Sequence, residues 1–148
     1  MEQLVRPARA PDCAELALLE REAREALVHQ RGGPQHLAEQ PPVDDWVTLV
    51  GRPDRAVFVA TIDGLVFGYL ELELLPQAAV VRQVYVHPEA RQLGFGDEML
   101  AASLQRARDH GCSVLEGSAL PGDRDTKNLY ERAGITARKI IVSAPLRP

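Results

Sequence analysis

The segment that most restricts the fold is Val84-Tyr85-Val86-His87-Pro88-Glu89-Ala90-Arg91-Gln92-Leu93-Gly94-Phe95-Gly96, which runs directly into Asp97-Glu98-Met99-Leu100. Its first residues alternate β-branched and aromatic side chains and read as the end of a strand, which His-Pro stops. Met99, Leu100, Leu104 and Ala107 then recur at helical spacing up to His110, and Gly111 stands where a helix ends in positive φ. A second strand, Ser113–Ala119, follows at once. Strand–helix–strand units of this kind lay their two strands parallel in one sheet, with the helix across its face.

The remaining pattern is antiparallel. Ala56–Ile62 and Leu65–Leu74 flank Asp63-Gly64, a pair that predicts a type I′ hairpin because this turn needs positive φ and Gly supplies it. In the second of these strands Tyr69, Glu71 and Glu73 alternate with Leu70, Leu72 and Leu74, so one face is apolar and the other carries carboxylates. Pro76-Gln77 turns the chain into Ala79–Val86. Ahead of the hairpin, a short strand at Leu4–Pro7 leads to a helix, Cys13–His29, with Asp12 as N-cap and Glu15 three residues on. Leu16, Leu19, Ala23 and Leu27 supply its apolar face. The stretch from Gln30 to Asp45 is rich in Gly, Pro and Gln and reads as a loop with a helical turn near His36–Gln40, followed by Trp46–Val50. Asp125 predicts the cap of a short helix ending before Gly134, and Arg138–Ser143 reads as a final strand. The expected architecture is a single α/β (α+β) domain over residues 1–148. Its central sheet is mixed but mostly antiparallel, with six to seven strands flanked by helices.

Composition narrows the function. A chain of 148 residues is long enough for a core without metal or disulfide staples. Its 17 basic and 21 acidic side chains leave a net charge of −4, which argues against a nucleic-acid partner, whose phosphates select an excess of Lys and Arg. Apolar runs such as Leu65–Phe67 and Ala78–Val81 are too short to span a membrane. The first residues show no basic start followed by an apolar run, so the cytoplasm is expected, with Cys13 and Cys112 as reduced thiols. His29, His36, His87 and His110 have no metal-ligand spacing, and no metal is expected. Basic residues nevertheless gather late in the chain, where Arg124, Lys127, Arg132, Arg138, Lys139 and Arg147 face only Asp125 and Glu131. That end can hold a small anion.

A strand running into a two-glycine loop and a helix start is an anion-binding arrangement, because the first helical N–H groups are unpaired and the helix dipole favours negative charge. Gly94 and Gly96 let backbone approach a phosphate without a Cβ in the way, and Arg91 adds a positive fork. Two phosphate loops fail on spacing. A P-loop needs Gly-Lys-Ser/Thr where Gly96-Asp97-Glu98 stands, and a dinucleotide fingerprint needs a third glycine where Met99 stands. What remains, Arg-x-x-Gly-x-Gly after Val84-Tyr85-Val86-His87-Pro88, resembles the acetyl-CoA loop of the GNAT superfamily of N-acetyltransferases. A second stretch, Asn128-Leu129-Tyr130-Glu131-Arg132-Ala133-Gly134-Ile135, is similar to the final helix of that family, and the order of elements agrees from Leu4 to Ser143.

The resemblance implies the GNAT acyl-CoA N-acyltransferase fold, with acetyl-CoA as co-substrate and a small-molecule or peptide amine as acceptor. It further implies that the main chain of Val84, Tyr85 and Val86 pairs with the pantetheine arm and that amides of Gln92, Leu93, Gly94, Phe95, Gly96 and Asp97 surround the pyrophosphate, with Arg91 beside them. By the same likeness Asn128 contacts the cofactor and Tyr130 protonates the departing thiolate. Homodimers are common in such folds. The sequence departs from the family pattern in having Asp123 and Thr126 where Asn and Ala are frequent, and Ala79-Val80-Val81-Arg82 where many members carry a glutamate. The general base is therefore sought among the residues themselves. Glu71 and Glu73 are the candidates, and their alternation equally suits a solvated strand face. His87 is a lesser candidate, at a position that also suits a turn. Trp46 and Tyr69 suit either an acceptor pocket or the core. The leading expectation is N-acetyl transfer to a primary amine by direct attack in a ternary complex; the alternative is a non-catalytic acyl-CoA-binding sensor or partner-binding module.

Overall fold

A computed structural model describes residues 2–147. In chain order it contains β1 (Gln3–Pro7), α1 (Cys13–Ala26), α2 (Gly33–Glu39), α3 (Trp46–Val50), β2 (Arg55–Ile62), β3 (Leu65–Leu74) and β4 (Ala78–Val86). These are followed by α4 (Phe95–His110), β5 (Val114–Glu116) and α5 (Arg124–Arg132), with 3₁₀ turns at Ala10–Asp12 and Pro88–Leu93. The strands form one sheet in sequence order, β1-β2-β3-β4-β5. The first three pairings are antiparallel, and β4–β5 is parallel, as the crossover through α4 requires. Asp63 and Gly64 have φ of 49° and 84°, the two positive values that a type I′ turn demands.

The described residues hold five strands, not the six to seven expected. Arg138–Ser143 forms none. Its Ile140, Ile141 and Val142 are 86%, 76% and 88% exposed, and β-branched residues make a strand only where a neighbouring ladder accepts their backbone. Ser113–Ala119 is cut to Val114–Glu116 because β4 turns away from it. Three helix signals are also corrected. Asp12 does not cap α1; its carboxylate accepts from Arg6 Nη1 and Nη2 at 2.7 and 2.8 Å and from the Arg9 amide at 2.7 Å. Glu15 is likewise taken, its Oε2 accepting from the Val66 amide at 2.9 Å. At the other end of the chain Asp123, not Asp125, caps α5, accepting from the Thr126 amide at 3.1 Å.

Two cores lie on the two sheet faces. Under α4, the side chains Leu70, Leu72, Phe95, Met99 and Leu100 are essentially sealed, with Leu129 and Tyr130 of α5 completing the cluster. Under α1 and α3, Leu16, Val59 and Tyr69 pack with Trp46, whose ring meets Tyr69 edge-on at 5.7 Å. Trp46 is thus a core residue. Cys13 and Cys112 are free thiols. No helix among the described residues is long and apolar enough to cross a membrane.

Candidate active site

The parallel pairing of β4 with β5 lasts only from Ala78↔Val114 to Val80↔Glu116. Beyond Val80 the strands part, and a cleft of about 1730 Å³ opens between them. The β4 edge facing it has no strand partner beyond Val80. Arg91 Nε donates to Val86 O at 2.9 Å, so that carbonyl points away from β3, while the neighbouring His87 amide donates to Phe67 O on β3. Backbone groups alternate sides along an antiparallel strand, so Val84 and Val86 both present their N–H and C=O to the cleft. Tyr85, between them, turns its ring under the Arg91 guanidinium, 5.7 Å from the centroid.

At one end of this edge Gly94 caps α4 with φ of 81°, a conformation a side chain makes costly. The first intrahelical bond runs from the Glu98 amide to Gly94 O, which leaves the amides of Phe95, Gly96 and Asp97 ahead of the ladder. Gly96 has a different reason for being glycine. A Cβ there would lie 3.3 Å from Leu129 Cδ1, so its absence lets α5 press on the first turn of α4. Phe95 buries its ring in the core and has only backbone to offer. Asp97, whose carboxylate stands beside these amides, is paired with Arg132 Nε at 2.9 Å. Gln92, Leu93 and Asn128 also line the cleft. The loop residues therefore meet at one helix start.

Across the cleft Tyr130 is 8% exposed, and burial holds its phenol protonated, pushed up to about 12. Its hydroxyl rests on the backbone of Gly117, at a place any Cβ would occupy. Gly117-Ser118 lacks the flanking glycines of a nucleophile elbow, and the tyrosine opposite supplies the reason for this glycine.

Glu71 does not sit on a solvated strand face. It is 5% exposed: it shares the face of Tyr69, opposite Leu70 and Leu72, and that face is covered by α1, so its side chain lies in the far wall of the cleft. Burial raises the carboxyl's proton affinity; a hydrogen bond from Gln83 and the charge of Arg55 oppose this, and the charge of Glu20 adds to it. Gln83 Nε2 donates to Glu71 Oε1 at 2.9 Å and to Glu20 Oε2 at 2.7 Å, while Tyr69 O–H donates to Gln83 Oε1 at 2.7 Å. Glu73 differs: hydrogen bonds from Arg82 and Arg55 hold it below the usual range, which leaves it a weak base. His87 serves the turn, its Nδ1 accepting from the Glu89 amide at 3.2 Å. Glu20 and Gln83 were not read from the sequence, because Glu20 looks like one more charge on a charged helix and Gln83 carries no charge at all.

A mixed sheet that parts between its two parallel strands, with a glycine-capped helix start at the opening, defines a nucleotide-thioester-binding α/β enzyme class. The profile described as "Acetyltransferase (GNAT) family" matches residues 14–135. The chain belongs to this family of acetyl-CoA-dependent N-acetyltransferases. Among solved structures it is similar to AAC(6')-Iy in complex with the bisubstrate analogue CoA-S-monomethyl-acetylneamine, at 15% identity and a TM-score of 0.74 over 100% of both chains. It also resembles a ribosomal-protein-alanine N-acetyltransferase from Brucella melitensis biovar Abortus 2308, at 21% identity and 0.72 over 99% of each chain. A third is the aminoglycoside 6'-N-acetyltransferase AAC(6')-Ih from Acinetobacter baumannii, at 15% identity and 0.71 over 99% of each chain. At these identities the likeness is one of fold. No curated protein sequence matches the chain.

Proposed function

We propose that this chain, acting as a single catalytic domain, moves the acetyl group of acetyl-CoA onto a primary amine in a ternary complex. The observation that carries the reading is the β4 edge left without a strand partner between the Gly94 loop and Tyr130, with Glu71 on the opposite wall. When bound, acetyl-CoA supplies an acyl group activated as a thioester. The free amides of Phe95, Gly96 and Asp97 fit a diphosphate, and Arg91 adds positive charge beside them. Val84 N–H is placed to donate to the carbonyl oxygen as charge builds there, the role of a fixed dipole in acyl transfer.

Glu71 takes the proton of the incoming ammonium, directly or through a water, so that the amine nitrogen carries a lone pair to the carbonyl carbon. As the new C–N bond forms and the C–S bond breaks, the nitrogen releases its second proton to solvent, and Tyr130 gives its phenolic proton to the sulfur and later recovers one from solvent. A phenol held protonated far above neutral pH is always loaded for this step. The AAC(6') structure with a CoA-linked analogue supports an amine acceptor for this chain too. The deciding experiment follows free thiol over a panel of small primary amines and peptides with free N-termini. Release with at least one acceptor is expected. Acetyl-CoA binding without release from any acceptor would replace this reading with that of a sensor.

A further inference from the structure

Among the described residues, two buried carboxylates take no part in the reaction above: Asp12, which is paired with Arg6, and Glu20. Glu20 projects from α1, is 4% exposed, and belongs to no ion pair among the described residues. Arg24, one turn further along the helix, is its natural partner. That guanidinium is spent elsewhere, donating to Gln40 O at 2.6 Å and Leu37 O at 3.2 Å. Glu20 instead accepts from the Val43 amide at 3.1 and 3.2 Å and from Gln83 Nε2 at 2.7 Å. A buried charge held only by neutral donors is costly, so its retention asks for a reason.

The reason lies one residue further in. Gln83 uses every polar group of its carboxamide. One N–H goes to Glu20, the other to Glu71, and its oxygen accepts from Tyr69. A flipped amide would set its carbonyl against two carboxylates, so this orientation is locked. Glu71 has little else. Arg55 Nε lies 3.5 Å from Glu71 Oε2 and makes no hydrogen bond, and Arg55 Nη1 is committed to Glu73 at 2.7 Å.

We infer that Glu20 is a positioning residue for Glu71, acting through the Gln83 carboxamide that the two carboxylates share. The inference rests on the reading of Glu71 as the base. A neutral amide can fix the orientation of both carboxylates but cannot cancel their charge, so a proton arriving on Glu71 relieves repulsion from Glu20. The charged and titratable groups around Glu71 are Glu20 and Arg24 on α1, His36 on α2, Arg55 on β2, Glu73 and Tyr69 on β3, and Arg82 on β4. Arg55 and Arg82 favour the ionised form. Glu20 counters them from the helix side and leaves Glu71 a stronger proton acceptor.

The test is the pH profile of kcat/KM in the full chain, with the acceptor that gives the most thiol release. Glu20→Gln keeps the shape and one acceptor oxygen but removes the charge, and should move the acid limb down by roughly half a unit to one unit. Gln83→Met keeps both charges but removes the donor to Glu71, and should move the same limb up. KM for acetyl-CoA should change less than about twofold in either variant, since neither residue meets the helix start where the phosphates sit. Opposite shifts are a signature that mere loss of packing does not produce. If both variants keep the wild-type limb while Glu71→Gln loses activity, the inference fails and Glu71 stands as the base. If Glu71→Gln keeps both rate and acid limb, the reading of Glu71 itself fails. Should Glu20→Gln not fold, an unshifted Gln83→Met profile alone overturns the inference.

Discussion

The hydroxyl of Tyr130 occupies the space that a side chain on Gly117 would need. A phenol on α5 and a missing Cβ just past β5 thus form one device, since the glycine lets the acid lie against the backbone at the opening of the cleft. Gly117→Ala should displace the ring and lower kcat about as far as Tyr130→Phe does, with the double variant little worse than either alone. Thiol-release kinetics on the three proteins checks this. Full activity in Gly117→Ala would mean that the position of the hydroxyl does not matter.

Tyr130→Phe itself should reduce kcat roughly 10- to 100-fold, because protonation of a leaving group by a positioned acid contributes on that scale. Acetyl-CoA affinity, measured by calorimetry, should change little. The phenol stays protonated up to about pH 12, so no fall in rate on the alkaline side below pH 10 should be traceable to it.

Arg132 covers the Asp97 carboxylate next to the free amides of α4. Arg132→Ala uncovers that charge where a diphosphate is to be held. Acetyl-CoA binding should weaken by about three- to tenfold at low salt and by less at high salt, as expected for surface charges. Asp97→Asn in the same chain should restore it. A loss that Asp97→Asn does not recover would assign Arg132 another role.

Asp12 ties β1 to the start of α1 through Arg6. Hydrogen bonding to that guanidinium is the main cause that holds its carboxyl below the ordinary value. A carboxyl whose folded value is depressed adds stability above its unfolded value, near pH 4, and loses it as the pH falls through the lower folded one. Asp12→Asn should therefore cost roughly 1–3 kcal/mol at pH 7. As the pH is lowered through the depressed folded value the two proteins should converge, which urea unfolding over an acid pH series measures.

What was legible in the sequence is what local chemistry determines. Asp63-Gly64, Gly111 and the Arg-x-x-Gly-x-Gly stretch each need a particular backbone conformation or a helix end, and each stands where expected. Asp12 misled because a carboxylate that can cap a helix can also bind an arginine six residues earlier, and the two-pronged ion pair wins over one amide. Glu71 misled for a similar reason. Alternation assigns its face correctly, with Tyr69 and opposite Leu70 and Leu72, but does not say what covers that face; α1 does, and an apparently solvated carboxylate is buried. Arg138–Ser143 has strand-forming side chains but no ladder to join. The Glu20–Gln83–Glu71 group was out of reach, since Glu20 comes from α1, far in sequence from the paired strands β3 and β4 that carry Glu71 and Gln83.

The grip proposed for the diphosphate is made mostly of peptide N–H groups at the start of α4, and peptide groups have nothing to gain or lose with acidity. Cofactor occupancy should therefore stay level over the range in which Glu71 changes protonation. Loading and chemistry then answer to separate controls: the first follows supply of the acyl donor, the second the acidity of the surroundings.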